Sequence, residues 1–322
     1  MNKPFFQFAL IAASLAVPPL SHAAPASHGM LMAIDQLPAA LRKDVTTQVA
    51  KAHQAAPATF EAVAAATGCT NDGYKLRRNP VPGCSTELRA FGPDYGWALV
   101  SALVVAEPKT ADGRAPYATA AEKAAYTSAA IESLGYYRAA NVAPVVRAIL
   151  LSAAEPTWKV AAAALGRIGT DADLQVLSDL GKTAGPRQMA ALYGLGECKR
   201  IEAAKVLAAQ LAVTTEPSAV TVVAGALGRV ASAWAWQAIA RKLPAKEAEA
   251  TDVRTVAAKA LAQALLTTTD GDAVEELTQA LQMTEHPAMS AILAEVRGHA
   301  DAVGAARIDV ASARYASYIK RR

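Results

Sequence analysis

A leucine followed by a small residue returns along this chain at Leu134-Gly135, Leu165-Gly166, Leu195-Gly196, Leu227-Gly228, Leu261-Ala262 and Leu293-Ala294, in steps of 31, 30, 32, 34 and 32 residues. A period of that length, held while the residues between change, restricts the chain to architectures that stack one supersecondary unit on the next. A second landmark runs in phase. Val146, Leu177, Leu207 and Ile239 each lie 12 residues beyond their leucine, and Leu277 lies 16 beyond Leu261. The excess of four falls at the polar turn Thr267-Thr268-Thr269-Asp270-Gly271, where a repeat array absorbs insertions.

Each unit resolves into two short helices. Four residues before each marker leucine stand Ala130, Ala161, Ala191, Val223, Ala257 and Met289, all apolar, which is helical spacing on one face. Four residues after each second landmark stand Leu150, Gly181, Leu211, Leu243 and Leu281, so the second helix also carries one buried stripe. Pro156, Pro186, Pro217 and Pro287 sit near the starts of the first helices, where a missing N–H costs little. Asp171, Asp173, Asp270 and Asp272 precede or open the second helices, where a carboxylate caps free N–H groups. The small residue after the leucine serves either a left-handed helix end or a close backbone approach. With 53% hydrophobic but only 6% aromatic residues, the apolar content is mostly alanine, leucine and valine. Such a composition favours packed helices over a large sheet and predicts an all-α protein.

The segment Pro156-Thr157-Trp158-Lys159-Val160-Ala161-Ala162-Ala163-Ala164-Leu165-Gly166-Arg167-Ile168-Gly169-Thr170-Asp171 resembles the HEAT-like repeat of the phycobilisome-lyase type. Gly185-Pro186-Arg187 to Leu195-Gly196 and Pro217 to Leu227-Gly228-Arg229 are similar, and the resemblance covers roughly residues 117 to 313. It departs at Leu261-Ala262 and Leu293-Ala294, where the glycine is replaced. The resemblance implies a right-handed α-solenoid of five to six helical hairpins over residues 117–322, with the second (B) helices lining a concave surface. Gln175, Lys205, Gln237 and Glu275 lie two residues before the B landmarks, and Asp179, Arg241 and Gln279 lie two after, so these polar side chains are expected on that surface. Trp234 and Trp236 open the fourth B helix and, being two apart, cannot both face the core. Either one of them anchors a partner in the groove, or one fills the core while the other packs across a seam between repeats.

Residues 1–23 combine Lys3, an apolar run from Phe5 to Val17 and the small-residue end Ser21-His22-Ala23, which predicts a secretory signal peptide cleaved near Ala23 and a periplasmic or secreted product. No later segment reaches ~18 uninterrupted apolar residues, so no membrane span is expected. Removing the leader takes one of 32 basic residues away against 28 acidic ones, and so small an excess predicts no nucleic-acid partner. Export favours disulfides, and Cys69 and Cys84 bracket a turn-rich loop, so they are the natural pair. Closing a loop of that size removes roughly 3 kcal/mol of unfolded-state entropy. Cys198 is left over as a buried thiol. Residues 24–116 lack the period; helices are expected at Leu37–His53, Ala58–Thr67 and Tyr95–Glu107, and the region reads as an N-terminal cap or a separate recognition module.

No chemistry stands out. His28, His53, His286 and His299 are nowhere spaced for a helical metal site, and Asp270-Gly271-Asp272 with Glu275 and Glu276 lacks the ligand alternation of a calcium loop. Phosphate-loop and nucleophile-elbow motifs do not occur. Lys75, Arg77 and Arg78 form the densest basic patch and read as a solvated loop face. The expected function is that of a non-catalytic scaffold or adaptor without cofactor or metal, binding a protein or peptide partner. The alternative is an enzyme or enzyme-assembly factor related to the bilin-lyase-type HEAT proteins.

Overall fold

The computed structural model describes residues 29–66, 75–76, 79–80 and 84–322. These residues are helical apart from loops and one two-residue antiparallel ladder, Lys75–Leu76 against Asn79–Pro80. Residues 1–23, expected to form a signal peptide, and Cys69, Arg77 and Arg78 lie outside the described residues.

The expected N-terminal helices appear as α1 (Ala39–Ala55), α2 (Pro57–Ala65) and α4 (Gly96–Val100), the last running on through a π-helical turn at Ser101–Val105. An additional helix, α3 (Cys84–Phe91), begins at Cys84, whose side chain is buried. Carbonyls at the end of the π-turn are taken up by the segment before α1: Met30 N–H donates to Ala102 O at 2.7 Å and Leu31 N–H to Leu103 O at 3.1 Å.

From Thr119 onward the chain is an unbroken series of helices. The first members are α5 (Ala120–Tyr137), α6 (Ala143–Ser152), α7 (Glu155–Ile168), α8 (Asp171–Lys182), α9 (Gln188–Glu197), α10 (Ile201–Val213) and α11 (Pro217–Val230). Alternate helices pack side by side, α5 on α7, α7 on α9 and α9 on α11, with α6, α8 and α10 forming a second row against them. The N-terminal helices join the start of this arrangement, α3 and α4 on α5 and α1 on α6. Tyr126 and Tyr137 of α5 donate hydroxyl hydrogen bonds to Val63 O and Leu88 O. One continuous apolar core runs from Met30 to Tyr315.

The glycine after each marker leucine has its reason in close approach. A Cβ on Gly135 would lie 2.6 Å from Ala164 Cα, and one on Gly196 would lie 2.9 Å from Ala226 Cα. In Gly166 it would overlap the Gly194 carbonyl. Each glycine thus meets the small residue just before the next leucine, Ala164, Gly194 or Ala226, and the backbones touch without side chains between them. The left-handed helix end is supplied separately at α7, by Gly169 with φ +69°.

After α11 the alternation slips. The helix expected to extend the second row, α12 (Ala233–Ala240), has only 8 residues, and its landmark Ile239 is half-exposed. The 18-residue α13 (Glu247–Ala264) packs on α10 instead, and α14 (Gly271–Thr284) packs on α11. Gly228 accordingly meets Ala280, which precedes Leu281 of α14, with a would-be Cβ 3.0 Å from Ala280 Cα. Leu261 and Leu293 are buried like the other marker leucines, but Leu281 succeeds Leu227 in the first row. The slip follows from length: α12 is too short to cover α10, Pro244 ends it, and α13 fills the vacancy.

Basic side chains close helix ends across the rows. Arg187 donates to Leu150 O at 2.8 Å, Arg254 to Thr284 O at 2.6 Å and Arg307 to Leu265 O at 2.7 Å, each satisfying a C-terminal carbonyl. Thr119 and Thr170 form capping boxes, and Asp270 caps α14 through Ala273 N–H at 2.9 Å. The last helices, α15 (Met289–Gly298) and α16 (Ala302–Lys320), finish the stack, with α16 against α14 and α15.

Buried His286 lies under α16. Its Nδ1 accepts from Ala288 N–H at 3.1 Å, its Nε2 faces Thr255 Oγ1 at 2.9 Å, and its carbonyl accepts from the Tyr315 hydroxyl at 3.1 Å. Burial, reinforced by Arg254 and Lys259, lowers its pKa below the usual 6.5. The unfolded chain therefore takes the proton first, so this contribution is complete above about pH 6.5 and is lost as pH falls through the window below it. Urea midpoints at pH 7.5 and pH 5.5 should differ less in His286→Gln than in the parent; equal differences would show that the imidazole is not the responsible group.

One stretch, Pro217–Ala240, is long and apolar enough to cross a membrane by length and composition. It consists of α11 and α12, interrupted at Ser232, whose hydroxyl caps α12. In the fold α11 is packed between α9 and α14.

Candidate functional site

The residues expected to meet a partner fall in three places. Gln175 and Asp179 of α8 and Lys205 of α10 are exposed on the second row, and Gln175 Nε2 donates to both Asp179 oxygens at 2.9 and 3.0 Å. Glu275 and Gln279 lie on α14, in the row of α11 rather than that of α8 and α10. There Gln279 donates to Glu275 at 2.9 Å and Arg314 of α16 pairs with Glu275. The tryptophans divide. Trp236 is buried and donates from Nε1 to Val230 O at 2.8 Å, whereas Trp234 is 68% exposed, beside exposed Gln237 and Arg241. The fold therefore does not bring all nine residues onto one face, because the slip at α12 moves α14 to the other row.

Of the two cysteines expected to pair, Cys69 and Cys84, only Cys84 is among the described residues. Cys198 is free and buried, and burial pushes its thiol up to about 11, which makes it a poor nucleophile. Among the described residues no group of three or more His, Cys, Asp or Glu is placed to hold a metal ion.

A different constellation crosses the first row. The residue directly after each Leu-Gly is Tyr136, Arg167, Glu197 and Arg229 in turn, and the helix spacing lines them up from one helix to the next. Arg167 pairs with Glu197 at 3.2 Å and approaches Glu132 at 3.6 Å; Glu197 is also 3.6 Å from Arg229, and Glu132 pairs with Arg89 at 2.6 Å. Aromatic rings fill the gaps. Arg89 and Arg167 stack on Tyr136 at 3.9 and 4.5 Å, and Arg229 and Lys159 on Tyr193 at 4.1 and 4.4 Å. A Cβ on Gly225 would lie 2.8 Å from Glu276 Oε1 and 3.4 Å from Arg229 Nη1. Burial pulls the Arg229 guanidinium below its usual pKa against the opposing pull of Tyr193, Glu197 and Glu276. Arg89 Nε, Arg167 Nη1, Arg229 Nε and Arg229 Nη2 are buried without an acceptor at hydrogen-bond distance, although Arg167 Nη1 and Arg229 Nε each lie 3.6 Å from a glutamate oxygen.

Two cavities lie at its ends. Beyond the C-termini of α7 and α9 is a polar one of about 480 Å³, whose cationic lining is Arg138, Arg167, Lys199, Arg200 and Lys246. Its acids, Glu197, Glu202 and Glu249, are each engaged by Arg167, Arg200 and Lys246 respectively. Lys199 donates to Gly196 O at 3.1 Å and Arg229 O at 2.6 Å, and burial lowers its ammonium to about 8. Neither Lys199 nor exposed Arg138 has a carboxylate within ion-pair distance among the described residues. Near the N-termini of α7 and α9 is an apolar cavity of about 290 Å³ lined by Trp158, Met189, Tyr193 and Val222. Trp158 is fixed there by its Nε1 bond to Ala153 O at 2.7 Å and by Arg187 stacked on its ring at 4.5 Å.

Comparison with known proteins returns no matching family model, no matching curated protein and no matching solved structure.

Proposed function

We propose that this chain is an exported scaffold or adaptor, an α-solenoid of HEAT-like hairpins that binds a protein or peptide partner without covalent chemistry or cofactor. On this reading the helices before Thr119 cap the first hairpin, and a Cys69–Cys84 bridge staples that cap. The observation that carries the reading is Trp234, 68% exposed on a short helix offset from both rows, with Gln237 and Arg241 exposed beside it. An indole left in water forfeits the burial that fixes every marker leucine, and such side chains are the commonest anchors of protein interfaces. Exposed Gln175, Asp179 and Lys205 give the second row a polar surface suited to the rim of such an interface.

The test is a photo-crosslinking residue at Gln237 of the full chain in its native cells. One discrete adduct is expected, and Trp234→Ala should remove it. No adduct from Gln237, Gln175 or Lys205 would overturn the assignment.

A further inference from the structure

The two cavities belong to one surface. Lys159, Ala163 and Arg167 follow each other at intervals of four along α7, and Met189, Tyr193 and Glu197 do so along α9, so one helix face leads from the apolar cavity to the basic one. Eight residues of helix rise about 12 Å, which roughly four residues of extended chain span. A small metabolite would not reach both ends, whereas a polypeptide would.

Charge selects which polypeptide. The far cavity has five basic against three acidic lining residues, and all three acids are already paired. Lys199 directs two of its donors to helix carbonyls and keeps a third, while Arg138 is held at the cavity edge by its left-handed backbone, φ 52°. At the near end, Met189 is 39% exposed over a pocket that offers rings and a valine, with one acid, Glu155, and one base, Lys159, also in its lining.

We propose that this face of α7 and α9 is a docking groove for an extended acidic segment of a partner protein. An apolar side chain enters between Trp158 and Met189, and a carboxylate about four residues away lies against Lys199 and Arg138. The inference rests on the reading of the chain as a polypeptide binder and names a surface separate from Trp234.

The probe is a library of random synthetic octapeptides on beads, presented to the labelled full chain at low salt. Retained peptides should be enriched in an aliphatic or aromatic residue three to five positions from an acidic residue or the terminal carboxylate. Met189→Asp and the double variant Arg138→Asn/Lys246→Gln, all at exposed positions, should each weaken the best peptide at least tenfold, as should 0.5 M salt. Circular dichroism confirms that each variant is folded, and Trp234→Ala should bind as the parent does. A selection without acidic bias, indifference to the groove variants, or no retained peptide overturns the groove. Peptides lost in Trp234→Ala but retained by the groove variants would overturn it while leaving the broader function standing.

Discussion

Replacing Gly166 by alanine should destabilise this protein by about 3 kcal/mol or more, at the upper end of what one added methyl costs a packed core. The new Cβ would overlap the carbonyl oxygen of Gly194 and lie 3.0 Å from its carbon, and the Glu197 Cβ would be 3.2 Å away. Neither obstacle is the free end of a flexible side chain. Gly194 cannot yield either, because a Cβ there would lie 2.7 Å from the Ala162 carbonyl carbon and 2.9 Å from its Cβ. Relief requires separating α7 from α9, which opens the seam between two neighbouring helices of the first row. The urea midpoint of Gly166→Ala should fall sharply at unchanged m-value. Gly185→Ala is the control: a Cβ there meets nothing within 4 Å, so its stability should stay within about 0.5 kcal/mol of the parent or rise. Equal effects at the two positions would refute the close-approach account.

The second large effect is expected at Asp173. Its carboxylate is wholly buried, pairs with Arg147 of α6 and accepts from Thr170 N–H at 3.1 Å in the capping box of α8. Asp173→Ala removes the carboxylate half of the capping box, leaving the Thr170 hydroxyl on the backbone N–H of residue 173, and strands the guanidinium. Losing one partner of a buried pair costs about 3–5 kcal/mol, and the 23% exposure of the Arg147 side chain places the loss near 3. Adding Arg147→Met should recover part of it, since no unpaired cation then remains. Chemical denaturation of the parent, both single variants and the double variant measures this coupling; strictly additive losses would show that the pair does not act as a unit.

Much of the helical framework was legible because it depends on spacing along the chain. Ala161 and Leu165, or Val223 and Leu227, share a helical face whatever surrounds them, and both members of each pair are buried. Spacing cannot report which row a helix joins. Leu261 and Leu293 continue the period, yet Leu281 takes the place beside Leu227, because the shortness of α12 is a three-dimensional fact about what covers α10. That slip also separates Glu275 and Gln279 from Gln175 and Lys205. The tryptophans were half legible: their interval requires them to diverge, but only packing decides that Trp236 goes inward.

The ladder of Tyr136, Arg167, Glu197 and Arg229 left a visible trace, one alternating position directly after each Leu-Gly. Within a single repeat such a residue is merely polar, and its meaning depends on the neighbour in the next unit. Arg138 and Lys246, which share one cavity, come from elements far apart in the chain and have no common motif.

The slip at α12 also limits how a chain like this can change length. Between α5 and α11, excising one hairpin joins equivalent helices and leaves both rows in step. Across the junction the same excision fails. Removing α12 and α13 would bring α14 next in sequence after α11, its natural neighbour, but would strip α10 of the helix that covers it. Insertion or removal of a whole unit therefore keeps both rows in step only before Ser232, because beyond it α13 covers α10 while α14 covers α11.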